Sequence, residues 1–315
     1  MGIEHPASER VAVLLGRAHH SFSSLFHRTL TDILISSWSS LYSTDLQTRE
    51  TTLATHTGTT WFDDADAEGK TVRYLATLQP GSCTDSTRPL LLDDTTFLDL
   101  GTGNGSLLFA LRKHGWCGRM VGVDYADESV QLAKGIWQGI VENGWDDDDD
   151  DDECSDDDDD DDNDDEGNRS IKPCRADVDF HTLDIISLSD PSIQLPSWLP
   201  ADGFDVVLDK GTFDAVSLSS DTDLHTGRRI VESYALAASR FLKKPDGRMV
   251  VTSCNWTEPE LEKWFCSAQP GPGEQQHKLR VLDKVPYRTF RFGGKEGSVV
   301  VGLVFGWDDA ESKMP

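Results

Sequence analysis

The chain has 315 residues, of which 37 % are hydrophobic, and a formal net charge of −27. Segment 146–166 alone holds 16 Asp and 2 Glu; without those 18 acids the charge is −9, so the remainder is only mildly acidic. It has no basic stripe of the kind that grips phosphate backbones, which excludes direct nucleic-acid binding, and no apolar run near the ~20 residues of a membrane helix.

The length suits one large domain or two small ones. Cys83, Cys117, Cys154, Cys174, Cys254 and Cys266 show neither C-x-x-C pairs nor zinc spacing. They are expected to be unpaired thiols in a reducing compartment, with no metal site. A cytoplasmic monomer is the expectation, with the nucleus also open.

Residues 1–57 are rich in Ser, Thr and His, and one helix is predicted over Leu30–Leu46. From Trp61 the periodicity sharpens. Asp66–Leu78 reads as a helix with Val72 and Leu75 on its inner face. Thr95–Leu100 is a short apolar run ending in glycines, as a buried parallel strand would. Helix Ser106–His114, strand Met120–Asp124 and helix Asp127–Val141 follow. Beyond the acidic tract come strands Asp179–Leu183 and Phe204–Asp209, helix Arg228–Leu242 and strand Arg248–Ser253. Thr257 and Glu260 are spaced as a capping box opening a helix through Phe265. Tyr287–Phe292 and Ser298–Gly306, with no helix between them, read as a closing antiparallel hairpin. Alternating strands and helices predict a doubly wound α/β fold with a mainly parallel sheet, its ligand at the strand C-terminal ends.

The loop after the first strand, Asp99-Leu-Gly-Thr-Gly-Asn-Gly105, places glycines at alternate positions, which lets backbone approach a ligand closely. It lacks the Gly-Lys-Ser/Thr of a Walker A loop, and Ser106 stands where a dinucleotide fingerprint has its last glycine. Asp99 would repel a pyrophosphate but attract the ammonium and sulfonium of S-adenosylmethionine. Asp124 is placed to accept two ribose hydroxyls, and Asp184 an adenine amine. Gly101, Gly103, Asn104, Gly105 and Tyr125 complete the expected cofactor set. The fourth strand ends Leu208-Asp-Lys-Gly-Thr-Phe-Asp-Ala215 beside the expected methyl group. Asp209 is the candidate catalytic residue there, orienting an acceptor amine; capping of the next turn is the alternative for Asp209 and the favoured role of Asp214. Lys210 is read as structural.

These blocks, with Val121-Gly-Val-Asp-Tyr125, Thr252-Ser-Cys-Asn-Trp-Thr257 and Trp61-Phe-Asp-Asp-Ala-Asp-Ala-Glu68, resemble the translation elongation factor 1-alpha lysine methyltransferases of fungi and animals. The resemblance runs over roughly 58–143 and 178–306. It implies a seven-stranded class I methyltransferase sheet, S-adenosyl-L-methionine as cofactor and elongation factor 1-alpha as protein substrate. It further implies that Trp61 and Phe62 close over cofactor or lysine, and that Thr212, Asn255 and Trp256 lie on the substrate side; core packing is an equal reading for Trp61 and Phe62. A methyltransferase of this fold acting on another protein or a small molecule, or a cofactor-binding scaffold without turnover, stays open.

On this reading 1–57 is an N-terminal extension, of low order or partly helical, and 58–310 is the methyltransferase domain. Residues 146–170 are an acidic insertion expected to be disordered, because a block of like charge cannot bury enough apolar surface to order. Two features depart from the family. The Ser/His-rich stretch separates Leu15-Gly16 from Trp38, and the acidic tract replaces a short loop.

Overall fold

The computed structural model describes residues 30–51, 58–81, 88–145, 172–189, 193–222, 227, 229–267, 278–292 and 295–308. The elements in chain order are α1 (Leu30–Thr51), α2 (Ala67–Thr77), β1 (Phe97–Leu100), α3 (Ser106–Lys113), β2 (Met120–Asp124), α4 (Asp127–Asn143) and β3 (Val178–Thr182). They continue with β4 (Val206–Lys210), α5 (Thr212–Ser217), α6 (Ile230–Ser239), β5 (Arg248–Ser253), α7 (Glu258–Cys266), β6 (Leu279–Val285), β7 (Thr289–Phe292), β8 (Lys295–Ser298) and β9 (Val301–Trp307). Seven strands form one sheet in the order β3-β2-β1-β4-β5-β9-β6, with β9 antiparallel to both neighbours. The chain runs outward from β1 to β3 and then returns to β4 beside β1. That reversal opens a crevice at the strand C-terminal ends.

Both faces of the sheet are buried. Phe97, Met120, Val178, Phe180, Val206 and Leu208 pack into one apolar layer; Leu98, Leu100, Val121, Val123 and Val207 pack into the other. Successive side chains on a strand point to opposite faces. Asp99, Asp124 and Lys210 therefore share the face of Phe97, Met120 and Val206, whereas Asp209 shares that of Val207.

The expected seven-stranded sheet with its antiparallel C-terminal pair is present, but the strand that closes on β9 is not Tyr287–Phe292. The partner of β9 is β6, and β7 pairs with β8 in a separate two-stranded ribbon. The sequence hid β6 because it is an edge strand whose middle residues are half-buried or exposed, so it shows no apolar run. The capping box forms as expected: the Glu260 carboxylate accepts the Thr257 backbone N–H at 2.9 Å.

Of the expected N-terminal extension, the described residues 30–51 form α1. Helix α1 packs along α4, the Arg49 guanidinium donates to the Gly135 carbonyl at 2.9 Å, and Asp45 accepts the Thr59 amide at 3.0 Å. Tyr42 is buried in the core layer of Phe97. Residues 146–170, the expected disordered insertion, lie outside the described residues, as do Cys83 and Cys154.

The expectation of unpaired cysteines also fails at one pair, since Cys117 and Cys174 are joined by a disulfide with Cα atoms 5.6 Å apart. They precede β2 and β3, which are adjacent and parallel, so residues distant in sequence meet at one sheet edge. Arg112 reinforces that edge by donating to the carbonyls of Trp116, Gly118 and Asp177 at 2.7, 2.9 and 2.6 Å. Among the described residues Cys254 and Cys266 are free, and no helix is long and apolar enough to cross a membrane.

Candidate active site

A pocket opens where β1 and β4 diverge. Its floor is the loop after β1. Gly101 and Gly103 have φ of 66° and 56°, a region that side chains with a Cβ rarely adopt. A Cβ on Gly101 would lie 2.1 Å from the Thr212 hydroxyl, and one on Gly103 2.8 Å from the Tyr42 hydroxyl, so both walls of the pocket press on bare backbone. Gly105 leads into α3, its amide bonded to the Thr102 carbonyl at 2.9 Å, and does not line the pocket.

Asp99 and Asp124 both line the pocket and are almost fully buried. The Thr102 hydroxyl donates to Asp99 at 2.8 Å. Burial raises the Asp99 carboxyl to about 7; that hydrogen bond and the nearby Lys210 charge oppose the rise, while Glu68 adds to it. Asp124 accepts the backbone amides of Gly103 and Ala126, each at 3.0 Å. These bonds moderate a pKa that burial again pushes up.

Asn104, Tyr125 and Thr212 also line the pocket. Asn104 accepts the Ser106 amide at 3.2 Å, and the Thr212 hydroxyl donates to the Leu100 carbonyl at 2.5 Å, bridging the two diverging strands. Trp61 forms part of the wall, its ring 4.8 Å from that of Trp38, which lines the pocket from α1 together with Tyr42. Phe62 (φ 62°) turns the chain sharply and lays its ring against Gly211 rather than into the pocket.

Four of the expected site residues, Asp184, Asp209, Asn255 and Trp256, do not line this pocket. Asp184 is exposed and lies beyond the end of β3; it accepts the Ile186 amide at 2.9 Å and so caps the short 3-10 helix Ile186–Ser189. Asp209 is turned to the opposite face from the pocket. It accepts the amides of Thr212 (2.9 Å) and Phe213 (3.1 Å) and the Tyr234 hydroxyl (2.7 Å), capping α5. Burial raises its carboxyl to about 7. Asn255 and Trp256 sit outside the pocket: Asn255 is exposed, and Trp256 packs on Phe213 and Trp264. Asp214 is an inward cross-link, accepting the Ser253 hydroxyl at 2.6 Å and the Cys254 amide at 2.8 Å.

Sequence reasoning missed Trp38, Tyr42 and Lys210. Trp38 lies four residues before Tyr42, one helical turn apart, which was the available signal. Among the described residues no cluster of His, Cys, Asp and Glu could hold a metal ion.

Residues 91–140, which span the glycine loop and Asp124, match the family model described as a methyltransferase domain. The chain is 31 % identical to protein-lysine N-methyltransferase EFM4 of Saccharomyces cerevisiae over 268 residues, covering 85 % of this chain and 91 % of that one. It is 30 % identical to human EEF1A lysine methyltransferase 2 over 269 residues, covering 85 % and 83 %. Among solved structures it is similar to magnesium protoporphyrin IX methyltransferase from Synechocystis PCC 6803, with 13 % identity, coverage of 91 % and 99 %, and a TM-score of 0.45. This chain belongs to the family of protein-lysine N-methyltransferases that contains EFM4 and EEF1A lysine methyltransferase 2.

Proposed function

We propose that this protein uses S-adenosylmethionine to methylate a lysine ε-amine of elongation factor 1-alpha. The observation that carries the cofactor is a phosphate-averse pocket: two buried carboxylates, Asp99 and Asp124, beneath a loop whose glycines leave room for backbone contact. Such a donor set fits a cationic nucleoside and disfavours a pyrophosphate. The substrate rests on the names of the relatives, EFM4 and EEF1A lysine methyltransferase 2.

When bound, S-adenosylmethionine supplies a methyl group activated by a sulfonium for in-line displacement by a neutral amine. The chain's own residues divide the work around it. Asp99 offers negative charge to an ammonium, and Asp124 offers acceptors to hydroxyls. Trp38 and Trp61 present aromatic surface, which attracts a sulfonium or alkylated ammonium. With Asp209 committed to α5, its carboxylate is not available to an acceptor amine. The residues of the β4 tip thus contribute positioning, and an acceptor lysine, whose ordinary pKa is about 10.4, must lose its proton before it attacks.

Incubation with methyl-labelled S-adenosylmethionine and purified elongation factor 1-alpha should label that protein, with mass spectrometry placing the methyl on a lysine. Label appearing only in other proteins of a lysate, or only in small molecules, would sink the substrate assignment.

A further inference from the structure

Lys210 ends β4 on the same face of the sheet as Asp99 and lines the pocket. Its ammonium donates to the Trp61 carbonyl at 3.1 Å and lies 3.3 Å from the Glu68 carboxylate; the two side chains are only 15 % and 20 % exposed. Glu68 is itself held by the Ser106 hydroxyl at the start of α3. An ammonium has three donors, and these two partners leave a third. A part-buried ion pair adds little to stability, because desolvation offsets the attraction, so fold maintenance alone does not account for this one.

The charges around the pocket give it a role. Among the described residues lining the pocket, Lys210 is the only cationic side chain, and the ionisable carboxyls beside it are Asp99 and Asp124. The methyl donor carries three charges: an ammonium, a sulfonium and a carboxylate. The two cations match the acids, but the carboxylate would be repelled by them unless a cation received it. We propose that Lys210 is that cation, a donor-binding residue that pairs with the carboxylate at the amino-acid end of the cofactor, held in place by Glu68 and the Trp61 carbonyl. The inference rests on S-adenosylmethionine being the donor.

Its test compares two probes on the full chain by calorimetry, S-adenosylmethionine and decarboxylated S-adenosylmethionine. The second keeps both cations and lacks only the carboxylate, so overall charge attraction to an acidic pocket would favour it. If Lys210 receives the carboxylate, wild type instead prefers S-adenosylmethionine by about 10- to 100-fold, the range of one charge-assisted hydrogen bond. Lys210→Met should abolish that preference while leaving the decarboxylated form bound at least as tightly as before, and Lys210→Arg should retain it. Equal or tighter binding of the decarboxylated form by wild type overturns the inference without any variant having to fold. A preference that survives Lys210→Met overturns it as well. Binding of neither probe by wild type would instead remove the donor assignment from which the inference starts.

Discussion

Two strand tips side by side in the sheet, β1 and β4, each place an acid ahead of a glycine, yet they serve the pocket in opposite ways. At β1, Asp99 has one hydroxyl partner, from Thr102, and an oxygen facing the pocket. At β4, Asp209 is taken up by two amides and the Tyr234 phenol, and it is Lys210, one residue on, that faces the ligand side. The register pairs Asp99 with Leu208 and Leu100 with Asp209, so one step along a strand exchanges the two faces. An acid at a strand end is thus a ligand or a cap according to its parity, and according to whether the next turn aims its amides at the carboxylate.

Four measurements can break or sharpen that contrast. Asp209→Ala should lower stability by about 3 kcal/mol, since it strips the cap from α5 and leaves the buried Tyr234 hydroxyl without its acceptor. Denaturant unfolding measures this, and donor affinity of the folded fraction should be unchanged. A variant that kept wild-type stability but lost turnover would return Asp209 to the catalytic role expected from sequence.

Asp99→Asn should do the reverse, weakening S-adenosylmethionine binding about 100-fold with stability preserved or improved, because it removes an ionisable group from a buried site. Calorimetry beside a melting curve separates the two effects.

The third measurement is pH. Burial raises the Asp99 carboxyl to about 7, so below that pH it is protonated and the donor's ammonium must expel the proton. Affinity should climb about tenfold per pH unit up to about 7 and then level off. The folded state holds this proton more tightly than the unfolded chain, whose aspartates titrate near 3.8. Its contribution to stability is therefore present at low pH and is lost as pH rises through that window. A flat affinity profile in wild type, or the same slope in Asp99→Asn, would contradict the assignment.

The smallest expected effect belongs to the wall. Trp38→Ala should weaken the donor about 5-fold, the range of one partly desolvated cation–π contact. The neutral product S-adenosylhomocysteine should be affected less. Equal losses for both ligands would reduce Trp38 to a packing residue.

Much of this molecule was legible in the sequence. Strands β2 and β5 have the expected bounds, and the glycine loop with Asp99 and Asp124 was recognisable from spacing alone. The parity of Asp209 was not. Alternation reveals which way a residue points only when one face of a sheet is polar, and here Leu98 and Val207 are as apolar as Phe97 and Val206. Asp184 lies apart from the pocket lining because the strand stops two residues before it, and a short polar side chain there finds the nearest orphan amide. Trp38 and Tyr42 were hidden by distance: they lie about sixty residues before the loop they cover, in a helix with little amphipathic contrast, and only packing on α4 brings them there.

Helix α4 runs from the pocket end of β2 back to the opposite end of the sheet, where Trp145 packs on Trp137. The chain returns at that same remote pole through Cys174, clasped to Cys117, and then enters β3. Trp145 and Cys174 are therefore two moorings remote from the pocket. Closing a longer excursion between fixed moorings costs only logarithmically more entropy. A change in the length of chain between those two moorings would leave the geometry of the pocket intact.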